Sequence, residues 1–276
     1  MVTTSAIASM PLYLHPDRIE RELQELGVAP GGRLSAEQFF PFDQLHYHGT
    51  EAVEAAARRL KLGPDSRVLE IGSGIGGPAR YLAHATGCRV TAVELLKSLH
   101  RVAADLTQRC GLSDRITHIC GDALACELPD AAFDAAVSWC AFLHIPDRPR
   151  LAARIARALK PGGQLYLEDL YQRAPFSESC ERDVREILFG TNLTSVEAFT
   201  ADLRAAGFAE VAVTDLTDDW SAFARDRLPA WRAGRERHIR VIGEPSYAAI
   251  EGFYSLIVRL YGTGSLGGIR LVARRA

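Results

Sequence analysis

The chain lacks a strong excess of charge of either sign: 32 lysine and arginine residues stand against 34 aspartate and glutamate residues, a formal net charge of -2. Nucleic-acid phosphates select basic surfaces, so this balance and a pI near 6.5 argue against a nucleic-acid partner and for a small molecule. None of the six cysteines (Cys88, Cys110, Cys120, Cys126, Cys140, Cys180) falls in a C-x-x-C pair. Several lie in expected strands or helices where a small apolar residue serves, which implies reduced thiols in a cytoplasmic protein. No apolar run reaches the roughly eighteen residues of a membrane span, and the N-terminus has no basic start with an apolar stretch behind it. The sequence therefore reads as neither secreted nor membrane-spanning. Internal repeats and low-complexity stretches are also missing.

What is present is enough for one substantial core with an appended lid: 276 residues, 47% hydrophobic and 24% charged. The most informative stretch is Val68–Gly77 (VLEIGSGIGG). An apolar run ends at Glu70 and breaks into glycines, which builds a strand, a tight turn and a helix start able to cradle a nucleotide-like cofactor. Gly72, Gly74 and Gly77 also satisfy G-x-G-x-x-G, so a nicotinamide dinucleotide is the competing cofactor. A second strand, Val90–Glu94, ends in an acid about twenty residues beyond the glycines, where a carboxylate can accept from ribose hydroxyls of either cofactor. Glu70 discriminates: a nicotinamide enzyme normally has an apolar residue there, whereas a carboxylate suits a cofactor carrying an amino acid. Asp122, in Gly121–Ala123 after a third strand (Ile116–Ile119), offers an acid to an adenine amino group. Phe133–Ser138 is a fourth strand, and Leu159–Leu167 ends a helix with glycine and begins a fifth.

Alternating strands and helices imply a parallel sheet covered on both faces, with ligands at the carboxyl ends of the strands. Val211–Thr214 and Ile269–Ala273 supply strands six and seven. The fold expected is α/β, a Rossmann-like, seven-stranded, mostly parallel sheet with helices on both faces. Residues 1–60 precede the core: Pro16–Leu26 is an amphipathic helix, Phe39–Phe42 an aromatic loop, and Gly49–Leu60 a helix with Thr50 as N-cap. Residues 61–276 form the core, Phe176–Phe208 is mostly helical, and residues 219–262 are too long for a hairpin loop, hence a helical insertion that closes with the N-terminal segment as a lid.

Together the glycine turn, Glu70, Glu94, Gly121–Asp122 and Lys160–Gly163 resemble the class I S-adenosylmethionine (SAM) dependent methyltransferases over roughly residues 60–170. The resemblance implies SAM as cofactor and methyl transfer by direct displacement, which requires alignment, exclusion of water and, for a protonated nucleophile, a base. Expected cofactor contacts are Glu70, Gly72, Ser73, Gly74 and Gly76 at the methionine portion, Glu94 and Leu95 at the ribose, Asp122 and Ala123 at the adenine, and Trp139, otherwise a core residue, on the wall.

His144 is the expected base, because Ala141–Asp147 follows the fourth strand at the rim and imidazole titrates near neutral pH; the alternative is a structural or helix-capping histidine. Tyr47 is the second catalytic candidate, in His46-Tyr47-His48, with a satisfied core tyrosine as the alternative. His46, His48, Cys140 and Phe189 are assigned to the substrate. A third metal-ligating partner for the two histidines is not apparent, so no metal is expected. Arg225, Arg227, Arg232, Arg235, Arg237 and Arg240 read as a solvated helix face, or as attraction for a substrate carboxylate or phosphate.

Leu143–Arg148, Lys160–Gly163 and Ser195–Phe199 are similar to segments of the small-molecule branch, which includes phosphoethanolamine, sarcosine and dimethylglycine, and natural-product methyltransferases. The phosphoethanolamine enzymes use a tyrosine–histidine pair at the methyl group. The histidine is similar in position to His144, and the tyrosine has no clear match. Their phosphate-gripping arginine and a tyrosine fall on Phe189 and Thr191, and an aspartate near the amine on Cys140, which implies a bulkier, more apolar acceptor. The expectation is an enzyme of small-molecule biosynthesis methylating N, O or C, monomeric or homodimeric; a nicotinamide oxidoreductase or a silent SAM-binding scaffold are the alternatives.

Overall fold

The structure is a computed structural model and describes residues 7–13 and 18–276. The strands are β1 (Arg67–Ile71), β2 (Arg89–Glu94), β3 (Ile116–Cys120), β4 (Phe133–Trp139), β5 (Leu159–Gln172), β6 (Phe208–Asp215) and β7 (Leu266–Arg275). They form one sheet in the order β3-β2-β1-β4-β5-β7-β6. The first five pair in parallel, and β7 lies antiparallel between β5 and β6. The expected seven-stranded, mostly parallel sheet is therefore what forms.

Alternation along β1 explains the layers. Leu69 and Ile71 pack with Leu151, Ile155, Phe199 and Leu203 from the helices Arg148–Ala158 and Val196–Ala205. Val68 faces the other way, with Val53, Ala56 and Leu82 from Gly49–Leu60 and Gly77–Thr86. A parallel sheet covered on both faces reads as near-continuous apolar runs; Glu70, 1% exposed, is the break in that pattern.

Three helices fill the long connection between β6 and β7: Thr217–Ala233, Arg235–Ile242 and Glu244–Gly262. Their seat on the sheet is cut by glycine. A Cβ on Gly268 would lie 2.5 Å from the Trp220 ring, and one on Gly267 would lie 2.2 Å from the Tyr171 ring. Trp220 is 1% exposed and joins Leu170, Leu188, Phe253 and Ile257 in a second core outside the sheet. The helix Arg18–Glu25 and the segment through Phe39 pack instead on the helix Lys97–Arg109, through Ile19, Leu23, Leu99 and Leu106.

Several local expectations are corrected. Pro16 and Asp17 lie outside the described residues. Thr50 does not cap its helix: His48 occupies the cap with φ 54°, a left-handed conformation, and Gly49 begins the helix. Lys160–Gly163 does not close the preceding helix. Leu159 is already extended and paired with Phe133, and the pairing resumes at Ala135 and Gln164, so the four residues form a bulge within β5. Residues 176–208 are mostly helical as expected, with a non-helical break at 187–195, and the insertion begins at Thr217.

Candidate functional site

The strand order reverses between β1 and β4, and a cavity of about 270 Å³ opens at the carboxyl ends of the strands there. At the end of β1 the chain turns sharply. The Gly72 and Ser73 amides both donate to the Val93 carbonyl (2.9 and 3.0 Å), and Gly72 has φ 75°. A Cβ on Gly72 would stand 2.3 Å from the Ala141 Cβ, so this strand-to-turn junction requires glycine.

Four acids line the cavity: Asp43, Glu70, Glu94 and Asp122. Glu94 clasps the turn, with Oε2 accepting from the Gly74 amide and Oε1 from the Leu96 amide, both at 2.8 Å. Burial nevertheless pushes its pKa up to about 7. Glu70 is more extreme: burial drives it up to about 8, and its Oε2 has no hydrogen-bond partner among the described residues. Asp43 is fully buried and paired with Arg80 at 2.9 Å, while Arg80 also donates to the Ile75 carbonyl at 2.8 Å. This pair props the turn from beneath. Asp122 accepts from the Leu124 amide through Oδ1.

At the other end of the cavity stands His144, in the short turn Phe142–His144. Its Nδ1 lies 3.0 Å from the Phe189 carbonyl. A carbonyl only accepts, so Nδ1 carries the proton and the lone pair is on Nε2. Burial lowers the His144 pKa, keeping the ring neutral. Tyr13, with its phenol pKa raised by burial and then by Glu94, lies edge-on to this ring at 6.4 Å between centroids. His46 stacks on Trp139 at 5.5 Å, with Nε2 donating to the Gly49 carbonyl; burial takes its pKa down to about 4. Tyr47 stacks flat on Trp220 at 4.0 Å, its pKa raised by burial. Cys140 follows β4 with φ 52°, its thiol pushed well up by burial.

Of the residues singled out from the sequence, Glu70, Gly72, Ser73, Gly74, Glu94, Leu95, Asp122, Ala123, Trp139, Cys140, His144, His46 and Tyr47 line this cavity. Gly76, His48 and Phe189 do not. Gly76 is the N-cap of Gly77–Thr86, against Arg80 and His118. His48 turns its Nε2 to Asp219, 2.8 Å away, so it does not converge with His46. Phe189 puts its ring into the core of the insertion and offers only its carbonyl. The cavity residues missed from sequence include Tyr13 and Asp43; Arg227, read there among six arginines as a solvated face or as attraction for a substrate anion, also lines the cavity.

Known proteins resemble this arrangement. A methyltransferase-domain family model matches residues 69–167. The 27-O-demethylrifamycin SV methyltransferase of Amycolatopsis mediterranei is 31% identical over 192 residues, which cover 68% of each chain. The chain belongs to the class I SAM-dependent methyltransferases. Phosphoethanolamine N-methyltransferase 3 of Arabidopsis thaliana is 30% identical over 233 residues, 84% of this chain and 47% of that protein. The chain thus spans about half the length of the plant relative. Among solved structures, phosphoethanolamine N-methyltransferase 2 of Haemonchus contortus, in complex with phosphomonomethylethanolamine and S-adenosylhomocysteine, superposes with a TM-score of 0.79 at 23% identity, over 84% of this chain and 54% of that one. That likeness is one of fold. The family model and the relatives are methyltransferases, which argues for SAM over a nicotinamide dinucleotide.

Proposed function

We propose that this chain transfers the methyl group of SAM to a small, largely apolar metabolite by direct displacement, with His144 as base. The observation that carries the reading is the buried, unpartnered Oε2 of Glu70 at the head of the glycine turn, in the same cavity as His144. A carboxylate without a partner in a dry site is costly, and the ammonium of the cofactor's amino acid supplies the missing donor. A dinucleotide fits worse, since its pyrophosphate over this turn would meet Asp43, Glu70 and Glu94 together.

Bound SAM supplies an electrophilic methyl group on sulfur. The chain does the rest. Glu70 with the Gly72–Gly74 turn would hold the amino acid, Glu94 and Leu95 the ribose, and Asp122 with Ala123 the adenine, with Trp139 along the wall. His144 Nε2 accepts the proton of the acceptor, while Tyr13 and Tyr47 bound the reacting space. Met10, Leu170, Leu188, Phe253 and Ile257 give this end an apolar lining, which suits a bulkier acceptor than a phosphobase. Residues 1–60 and 219–262 act as a lid on the core of residues 61–276 and keep water out. The partner is a small molecule rather than a nucleic acid, and the setting is cytoplasmic biosynthesis by a monomer or homodimer.

Calorimetric titration with S-adenosylhomocysteine and, separately, with NAD tests the cofactor. Saturable binding of the first alone is expected; binding of NAD alone would sink the proposal. A screen of amines, phenols and carbon acids with labelled SAM then separates an enzyme from a silent scaffold.

A further inference from the structure

Five of the six arginines between residues 225 and 240 have polar partners outside the cavity. Arg225 donates to Ser221, Arg232 pairs with Glu251, Arg235 with Glu244, Arg237 with Glu22 and Arg240 with Glu25. Arg227 differs from all of them. It is half-buried and faces the cavity, and among the described residues it has neither a carboxylate within ion-pair distance nor a hydrogen-bond acceptor. Its guanidinium lies instead over the rings of Phe223 and Tyr254, 5.5 and 4.9 Å from their centroids.

Aromatic rings satisfy the face of a guanidinium and leave its N–H edge needing an acceptor. Of the four acids in this cavity, Asp43, Glu70 and Glu94 belong to the glycine turn and its supports and Asp122 follows β3, whereas Arg227 comes from the insertion. Its field reaches the reacting end: burial raises the Tyr47 and Cys140 pKa values and Arg227 opposes that rise, while at His46 burial lowers the pKa and Arg227 adds to the fall. Around it the walls are apolar, so a pair formed there is less screened than one at the surface.

We propose that Arg227 recognises an anionic group, a carboxylate or a phosphate monoester, on an otherwise apolar methyl acceptor. The inference deepens the methyl-transfer reading of this cavity and rests on it. A planar guanidinium can offer parallel N–H bonds to two oxygens of either anion. Anchoring the anion at Arg227 leaves the apolar body along Leu170 and Ile257 and the nucleophile toward His144.

Four probes of equal chain length test it: octanoate, octyl phosphate, octanol and octylammonium, titrated by calorimetry into the full chain with and without saturating S-adenosylhomocysteine. Failure of S-adenosylhomocysteine to bind would count against the cofactor reading alone, since the probes are also read on the free protein. The result expected is that an anionic probe binds roughly ten- to hundredfold more tightly than octanol. The stronger of the two anions then identifies the group. Arg227→Gln should erase the preference, Arg227→Lys should retain only the part that charge alone supplies, and Arg232→Gln should leave it unchanged. Equal binding of the anions and octanol, a preference for octylammonium, or an anion preference that survives Arg227→Gln would overturn the proposal. Circular dichroism of each variant separates lost recognition from lost folding.

Discussion

The Phe189 carbonyl oxygen stands 3.0 Å from Nδ1 of His144, and that contact decides which nitrogen of the ring can accept a proton. Phe189 holds φ 52°, a left-handed backbone uncommon for a large side chain, and this turns its carbonyl inward. With Nδ1–H committed, Nε2 is the basic atom. His144→Asn should lower kcat by about 10²–10⁴ while leaving S-adenosylhomocysteine affinity within a few-fold. Because burial lowers the His144 pKa, the acidic limb of the wild-type rate profile should fall below the ordinary 6.5. An unchanged kcat and profile in the variant would remove His144 from the chemistry. Phe189→Leu keeps the carbonyl and should keep most of the rate.

Glu70 ties cofactor affinity and stability to pH in opposite directions. Its folded pKa of about 8, and the value of about 7 for Glu94, both lie above the ordinary 4.5. Between 4.5 and these values the folded chain binds more protons than the unfolded one, so the stability contribution is complete below 4.5 and is lost as pH rises through 7 and 8. The Tm of the ligand-free protein should therefore fall from pH 6 to pH 9, and less steeply in Glu70→Gln. Binding of an ammonium requires the ionised carboxylate, so S-adenosylhomocysteine affinity should rise between pH 6 and pH 8 by up to about tenfold per unit. Calorimetry across that range checks both; an affinity independent of pH, or unaltered by Glu70→Gln, would refute the assignment.

Asp43 and Arg80 form an ion pair with both side chains fully buried. Removing one partner strands the other charge, which costs about 3–5 kcal/mol. Asp43→Ala should lose about that much stability in urea unfolding. It should also weaken S-adenosylhomocysteine binding, because Arg80 donates to the Ile75 carbonyl inside the glycine turn. A loss under 1 kcal/mol would mean that water reaches Arg80 and the pair does not support the turn.

Some of these residues could be read from the sequence and some could not, for physical reasons. Glu70 and Glu94 were legible because a strand buried on both faces is apolar, and an acid at its end breaks the pattern where ligands bind. The sheet was legible for the same reason. Tyr13 and Asp43 carry no periodic signal; they reach the cavity only after the chain ahead of the sheet folds back over it, and Arg80, on the Gly77–Thr86 helix, meets its partner Asp43 only then. Arg227 shares its composition with five neighbours, and only the rotation of the Thr217–Ala233 helix separates it from them. His48 stands outside the cavity, its backbone at φ 54° and its ring turned to Asp219. Lys160–Gly163 carries the letters of a helix stop but serves as a bulge, which only pairing with β4 reveals.

The N-terminal helix and the insertion hold each other, which makes closure testable apart from chemistry. Glu22 pairs with Arg237 and Glu25 with Arg240, and Arg21 donates to the Val241 carbonyl at 2.8 Å. Surface pairs contribute about 0–1 kcal/mol each, but the Glu22 side chain is only 7% exposed, so its charge counts for more. Glu22→Arg sets two cations against each other at that point. Amide exchange in residues 18–25 and 235–242 should speed up by about tenfold or more, equivalent to roughly 1.4 kcal/mol of easier opening, while β1 and β4 keep their protection. S-adenosylhomocysteine should still bind, because Glu70 and the glycine turn lie on the sheet side, and kcat/KM should fall. If exchange accelerates and kcat/KM does not move, the two segments clasp each other without serving as a lid.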